Sequence, residues 1–573
     1  MYFLHWTDFL RPFRYAFAFA AAAGLFAQQN ELLPPTLRGG AIPPTAGMPT
    51  NSIPLTATNF VAGAYVTNGI LVTTSSNNVP PTSILGTNIT IRPITLEDAI
   101  EMALQNNYDV LVARYNPDIA QFTLSGSYSV YEPSVGLSYI HSFRSQPGNV
   151  DPNTGLILPN QETTTEAFNG NLAPGVSGYL PTGTRYGVNT ALSGSEVNPS
   201  LGIPFNNYFG STLISLQQPL LRDFWIDQPR ATIMINKKKL KISEWQLRQQ
   251  LITTVAAVEN AYYDLIRARE NIKVQRAALE YNNQLLRENK KRVEVGAMAP
   301  LDEKQAEAEV ARGVATLLQT EQVYAVALNN MKNLITQDFA NWVNIVVDPV
   351  ETLVAVPASP QLAESWKQGL TMRPEIIQAK LDLEARDINI KYLKNQIWPA
   401  VDLVGTWGEN GSSLRSYGVV IDQISGDKNP QYSAGLTVSI PLGAIAPRNN
   451  YKSAKASKAQ ALLQYKQLEQ NIMMQIDNAI KLLQSQFQQV EAARQARLFA
   501  QDALAAEQKK YENGKSTSFL VLQAQRDLTT SRFDEISALA DYNKALSGLA
   551  QQEGATLSRY NLNVSVTPNS QQP

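Results

Sequence analysis

RVEVGAMAPLDEKQAEAEV at residues 292–310 and KYENGKSTSFLVLQAQRDL at residues 510–528 carry one pattern twice: charge, a glycine, a short turn and a renewed helical stretch. The glycines, Gly296 and Gly514, hold the shared position. The second copy contains GKST, the tail of a nucleotide-binding loop. Such a loop needs a second glycine five positions earlier and a buried strand ahead of it, so that backbone N–H groups converge on phosphate. Lys509 occupies that position, and LFAQDALAAEQKKYEN ahead of the glycine has the Ala, Gln and Lys content of a helix. The glycine is instead expected to end one helix in the left-handed conformation and let the chain reverse. Pro300 suits the first turn of the helix after Gly296, and Ser516 or Thr517 the N-cap of the helix after Gly514. Both stretches are read as helix-hairpin tips.

The duplication extends far beyond the tips. NNYDVLVARY from Asn106 answers MRPEIIQAKL from Met372, and Pro133 in VYEPSVGLSY answers Pro399 in QIWPAVDLVG, each pair 266 residues apart. Pro219 in LQQPLLRDF and Pro441 in VSIPLGAIA stand 222 apart, while Gly296 and Gly514, like Tyr324 and Tyr542, stand 218 apart. Five correspondences in order make an internal tandem repeat. The fall from 266 to 222 gives the first copy 44 extra residues between its two prolines. That surplus, within TTTEAFNGNLAPGVSGYLPTGTRYGVNTALSGSEVNPSLGIPFNNY, is rich in strand and turn signals. It forms either a long external hairpin or additional strands.

Periodicity changes within each copy. After Pro399, Val401, Leu403 and Trp407 alternate with Asp402 and Thr406. Tyr432, Ala434, Leu436, Val438 and Ile440 alternate with Ser433, Gly435, Thr437 and Ser439, and in the first copy Leu137, Tyr139 and Phe143 share one side. Apolar residues opposite small polar ones fit transmembrane strands with lipid on one face and water on the other, although a soluble hairpin on a core has the same pattern. From Phe224 to Val295 the only proline is Pro229, near a helix start, and 450–513 has none. Roughly 70 helical residues span on the order of 100 Å. Their apolar stripes are narrow (Leu462, Tyr465, Leu468, Ile472), which fits a coiled-coil-like assembly wet on at least one side.

These signals divide the chain. Residues 91–332 form the first repeat, with a helix over 95–132, strands and an extended loop over 134–218, and long helices over 223–332. Residues 333–372 connect the copies. Residues 373–553 form the second repeat, with a helix over 374–398, strands over 400–440 and long helices over 449–553; a polar tail fills 554–573. Ahead of the repeats, Arg11, Arg14 and the apolar YAFAFAAAAGLFA read as a signal peptide over 1–27, cleaved after Ala27. Its apolar run is too short for the roughly 20 residues of a helical membrane span. Residues 28–90 are rich in Pro, Thr and Asn, a flexible leader with a short strand near AYVTNGILVTT.

Composition removes several functions. Over 573 residues, 48 basic and 49 acidic side chains leave a net charge of −1, so no basic field favours nucleic acid. NKKKLK from Asn236 reads as a solvated helix face. Cysteine is absent, which excludes disulfides, thiolate chemistry and a lipidated N-terminal cysteine. The two histidines, His5 and His141, lie apart from carboxylates at metal spacing, and no phosphate loop or nucleophile elbow is present. Neither an enzyme nor a cofactor nor a metal site is expected.

The duplicated helix–strand–strand–helix plan, TLEDAIEMALQNNYDV, RPEIIQAK, QPLLRD and the two tips resemble the TolC-type outer-membrane efflux family over about 94–553, nearly the whole mature chain. The resemblance implies a mixed α and β membrane protein: a homotrimer in which each protomer gives four strands to an outer-membrane β-barrel and its helices to a long periplasmic α-helical barrel. It implies a passive exit duct for small molecules or proteins, set in outer-membrane lipid and extending into the periplasm of a Gram-negative-type bacterium. The partners it implies are a periplasmic adaptor protein and an inner-membrane pump or ABC exporter. Carried over residue by residue, the adaptor would meet Gly296, Ala297 and Met298 at one tip and Gly514, Lys515 and Ser516 at the other. The gate would use Asp302 and its partner Tyr511, with Ser516 standing where the family has an arginine and Lys515 beside it as a substitute cation. Leu520 and Gln523 take the places of the family's aspartate ring, so the constriction would act by sterics or dewetting. Asp302 is equally what a helix dipole favours in a first turn. The rival reading is a periplasmic coiled-coil structural or adaptor protein without a pore, which has no need of paired alternating strands in each half.

Overall fold

The computed structural model describes residues 90–562, apart from positions 149, 152, 171–175 and 200–202, together with the backbone of 64–67 and 70–73. The expected signal peptide and the end of the tail lie outside the described residues. In the leader, β1 (Ala64–Thr67) and β2 (Ile70–Thr73) pair as an antiparallel hairpin, two strands where one was expected.

The first repeat opens with β3 (Thr90–Ile94), α1 (Leu96–Asn106) and α2 (Tyr108–Ser127), which runs into a 3-10 turn at Tyr128–Tyr131. The single helix expected over 95–132 is therefore divided. Asn107 leaves the helical region (φ −68°, ψ 126°), and its Oδ1 accepts the amides of Asp109 and Val110, so it ends one helix and caps the next. A capping box between Thr95 and Asp98 starts α1.

Strands β4 (Ser134–Val135), β5 (Leu137–Gln146), β6 (Gln161–Gly170), β7 (Val176–Tyr179), β8 (Arg185–Asn198) and β9 (Phe205–Pro219) follow. The chain then descends through α3 (Gln228–Glu294) and returns through α4 (Pro300–Ile335). Asp227 caps α3 by accepting the amide of Arg230 at 2.8 Å, so the helix begins after the proposed 223. The inter-repeat connection is structured: β10 (Ile345–Pro349) pairs in parallel with β3, and α5 (Leu362–Met372) leads to α6 (Pro374–Asn395). The second repeat continues with β11 (Ala400–Ser413), α7 (Tyr417–Ser425), β12 (Pro430–Ser439), α8 (Ile445–Glu512) and α9 (Ser518–Glu553), ending in the short α10 (Thr556–Arg559).

The two repeats build one sheet in the order β12–β11–β9–β8–β6–β5, every neighbouring pair antiparallel. The strands β4 and β7 pair with each other, and β7 also with β8. This corrects the expectation of four strands per protomer. The 44-residue surplus is not a loop but the interior of the sheet: β6 and β8 stand between β5 and β9, whose equivalents β11 and β12 are direct neighbours. The register places all three apolar stripes read from the sequence on one face. Leu403 lies opposite Leu436, Trp407 opposite both Tyr432 and Ile214, and Tyr139 opposite Phe168. Thr406, Ser433 and Ser215 share the other face, where the hydroxyls of Thr406 and Ser433 lie 2.7 Å apart. Helix α7 covers part of the apolar face: Tyr417 meets the rings of Phe168 and Tyr208, and a side chain at Gly210 would strike Val420 and Leu192.

Near the sheet the helices lie side by side in the order α2, α3, α6, α8, and toward the far end α4, α3, α9, α8. The stripe on α8 narrows to buried Ile472, Ile476, Ile480, Leu483 and Val490, which pack on Tyr542, Ala545 and Leu549 of α9. A matching cluster joins α3, α4, α1 and β10 through Val258, Tyr262, Leu265, Leu328, Ile335, Ile100 and Val347. Among the described residues no helix is long and apolar enough to cross a membrane.

Since Leu403 and Thr406 occupy opposite faces of β11, Leu403→Lys is expected to lose about 2–4 kcal/mol of membrane-inserted stability, whereas Thr406→Lys is tolerated. Thermal stability of the two variants in lipid vesicles distinguishes them; equal losses would refute the face assignment.

Candidate functional site at the helix tips

Each long descending helix ends in the same backbone device. Gly296 has φ +71°; its amide donates to the carbonyl of Val293 at 2.9 Å, and the Ala297 amide donates to that of Arg292 at 2.8 Å. Gly514 has φ +68°, its amide donates to Tyr511 at 3.1 Å, and the Lys515 amide donates to Lys510 at 2.8 Å. Both are Schellman turns, in which the left-handed residue lets two otherwise orphaned carbonyls find partners. Helix α4 restarts at Pro300, while α9 is capped by Thr517, whose Oγ1 accepts the Leu520 amide at 3.4 Å. Of the two caps weighed, Thr517 is the one used; Ser516 donates instead to Glu507 on α8.

The helices bring the two turns to one place. Leu285 of α3, Met298 of the first turn, Leu504 and Tyr511 of α8, and Val521, Leu522 and Leu528 of α9 share one small core. Within it runs a polar chain. The Tyr511 hydroxyl donates to Asn289 Oδ1 at 2.8 Å, and Asn289 Nδ2 donates to Ser518 Oγ at 2.6 Å, so α8, α3 and α9 are tied through one fully buried asparagine. The Arg292 guanidinium stands 4.5 Å from the centre of the Tyr511 ring. Burial holds the Tyr511 phenol above its ordinary value; Arg292 opposes the rise, and Glu288 and Asp302 reinforce it.

Asp302 lies half-exposed in the first turn of α4, close enough for its charge to act on Tyr511, but the phenol's hydrogen bond goes to Asn289. Gly296, Ala297, Gly514 and Lys515 are exposed at the turns, Ser516 is half-buried, and Met298 packs inward. Leu520 and Gln523 are exposed one helical turn apart on α9, on the face opposite buried Val521, Leu522 and Gln525. Sequence reading missed Asn289, Arg292 and Ser518. Asn282, Leu285 and Asn289 at heptad-like spacing on α3 were a usable signal, because a buried asparagine in such a seam demands a partner.

With the tandem helices, the common sheet and the paired tips placed, comparison with known proteins decides the family. The description "Outer membrane efflux protein" matches residues 188–337 and 367–555, more than half the chain. The chain belongs to the outer membrane efflux protein family. As a member of that family it is an outer-membrane protein extending into the periplasm. It is 23% identical over 431 residues to the outer membrane efflux protein BepC of Brucella suis, covering 70% of this chain and 88% of that one. Its fold is similar to that of the outer-membrane channel OprN (TM-score 0.59, 17% identity, 80% of this chain and 90% of that one). It is also similar to VceC of Vibrio cholerae (TM-score 0.57, 19% identity, 80% and 96%). The family is one of channel proteins.

The Tyr511 shift has a testable sign. A phenol whose folded value is raised stabilises the tip fully below pH 10, and that contribution is lost as pH climbs through the raised value. The tyrosinate absorbance removed by Tyr511→Phe is expected to titrate above pH 10. Titration at or below the ordinary value would exclude a buried, hydrogen-bonded phenol. Tyr511→Phe also leaves Asn289 Oδ1 without this donor, at a cost of about 1–3 kcal/mol measurable by denaturant unfolding of the tip.

Proposed function

We propose that three copies of this chain form a passive duct, a β-barrel in the outer membrane continued by an α-helical barrel through the periplasm. Small molecules or proteins would pass through it from an inner-membrane pump or ABC exporter and a periplasmic adaptor to the cell exterior. One observation carries the reading: both repeats contribute to a single sheet whose shared register separates an exposed apolar face from a polar one. Exposed Leu403, Leu436, Tyr432, Phe143 and Leu216 need hydrocarbon, while the hydroxyl-rich face needs water. A coiled-coil protein without a pore has no use for such a sheet.

The helices support the same reading. α3 and α8 have 67 and 68 residues, and α4 and α9 have 36 each, so both turns reach the same depth on the order of 100 Å from the sheet. The exposed turn residues Gly296, Ala297, Gly514 and Lys515 would then receive the adaptor, with Met298 and Ser516 shaping the surface beneath. Asp302, Tyr511, Lys515 and Ser516 would hold the passage closed. Leu520 and Gln523 would line its narrowest ring, neutral side chains that obstruct rather than concentrate ions.

Single-channel recording in planar bilayers tests this. The wild-type protein is expected to conduct weakly, and Asp302→Asn and Tyr511→Phe to raise the conductance severalfold. Conducting pores with unchanged conductance in both variants would reject the gate; a folded protein that never conducts would reject the duct.

A further inference from the structure

Resting on the duct reading, we infer that neighbouring copies join edge to edge between β12 and β5, and that the trimer's barrel has eighteen strands rather than twelve. The ladder order β12–β11–β9–β8–β6–β5 ends at two strands with only one partner each among the described residues. Both are bare. Every residue of β5 is exposed, as is all of β12 beyond half-buried Gln431, and α7 packs chiefly over β9 and β11. In hydrocarbon an unpaired row of amides and carbonyls costs several kcal/mol per group, so these edges must find each other or a barrel cannot form.

A second copy fits because the faces continue. On β12 the apolar set is Tyr432, Ala434, Leu436 and Val438, and on β5 it is Leu137, Tyr139 and Phe143; the register carries both onto the same side of the sheet. Antiparallel pairing of β12 with the next copy's β5 keeps lipid-facing residues together and sets Ser433 and Thr437 beside Ser142 on the polar side. The alternative, β12 on the next copy's β8, would give twelve strands. That edge of β8 is already occupied by β6 over Glu162↔Asn198 to Gly170↔Thr190.

Geometry agrees. Four helices per copy lie abreast at either level, and twelve helices about 10 Å apart form a ring about 38 Å across. Eighteen strands about 4.8 Å apart and tilted about 40° close at about 36 Å, against about 24 Å for twelve. The wider barrel continues the helical cylinder at nearly constant width, and the surplus hairpin of the first repeat supplies the difference.

The chain has no cysteine, so introduced thiols report cleanly. Full-length protein carrying Ser433→Cys or Thr437→Cys on β12 together with Ile140→Cys or Ser142→Cys on β5 is expected to give disulfide-linked dimers and trimers in at least one pairing when oxidised in the membrane. The same β12 thiols combined with Asn189→Cys on β8 should stay monomeric on a denaturing gel. Electron cryomicroscopy of the unmodified trimer should show eighteen strands. A trimer with twelve strands, or cross-links through Asn189→Cys alone, overturns this inference and leaves the duct intact; a protein that forms no trimer at all overturns both.

Discussion

The structure depends on one constraint: a strand in hydrocarbon must satisfy every backbone amide and carbonyl within protein. Among the described residues a single copy meets it along the five ladders of the sheet path and leaves β5 and β12 with one neighbouring strand each. The helices can then be understood as what holds the strands of the two repeats together. Because α3 and α8 leave the sheet from β9 and β12, and α2 and α6 enter it at β4 and β11, four strands are anchored to the helical layer, while β6 and β8 are held between them by their ladders alone. Packing of α3 against α6 joins the two repeats, and charge pairs reinforce the seam, such as Lys238 with Glu384 at 2.6 Å and Lys544 with Asp264 at 2.9 Å. Those pairs are partly exposed and contribute little individually. Burial of Val258, Leu265, Ile472 and Ile476 sets the register along the helices.

Duplication explains both what repeats and what does not. The constant spacing of 218 between Gly296 and Gly514 and between Tyr324 and Tyr542 reflects equal helix lengths, since a single inserted residue would rotate a helix by about 100° and turn its stripe away from its partner. Strands obey a weaker rule. A complete hairpin can be added between β5 and β9 without disturbing either, provided the faces still alternate correctly, and Phe168 and Leu192 show that they do.

Much of this was legible in the residues. Period-two alternation in β11 and β12 and the proline-free helical runs gave the architecture directly, because each is a local pattern. The surplus strands were ambiguous for a physical reason: QETTTEAFNG is polar on both faces except at Ala167 and Phe168, so its hydrophobic signal is nearly silent. The break at Asn107 was masked by an unbroken helical composition, and only its cap geometry reveals it. At the tips, Gly296 and Gly514 announced their backbone role, but the partner of Tyr511 lies 222 residues away on another helix, beyond any spacing rule.

The tip differs in kind from the rest of the helical layer. Nearer the sheet, two apolar clusters hold the helices with branched side chains whose separation would expose large areas to water. Near the turns the core shrinks to a few residues around Asn289, and the binding becomes directional: one tyrosine, one asparagine and one serine. Such a chain is worth a few kcal/mol when complete and becomes a liability once a member is withdrawn, because the remaining buried groups lose their partners together. Stability in this arrangement falls from sheet to tip. The Schellman turns are closed by backbone bonds within their own hairpins and use none of the side chains of that polar chain. The placement of asparagine rather than leucine at position 289 makes the tip the end of the helical layer that is held by directional bonds.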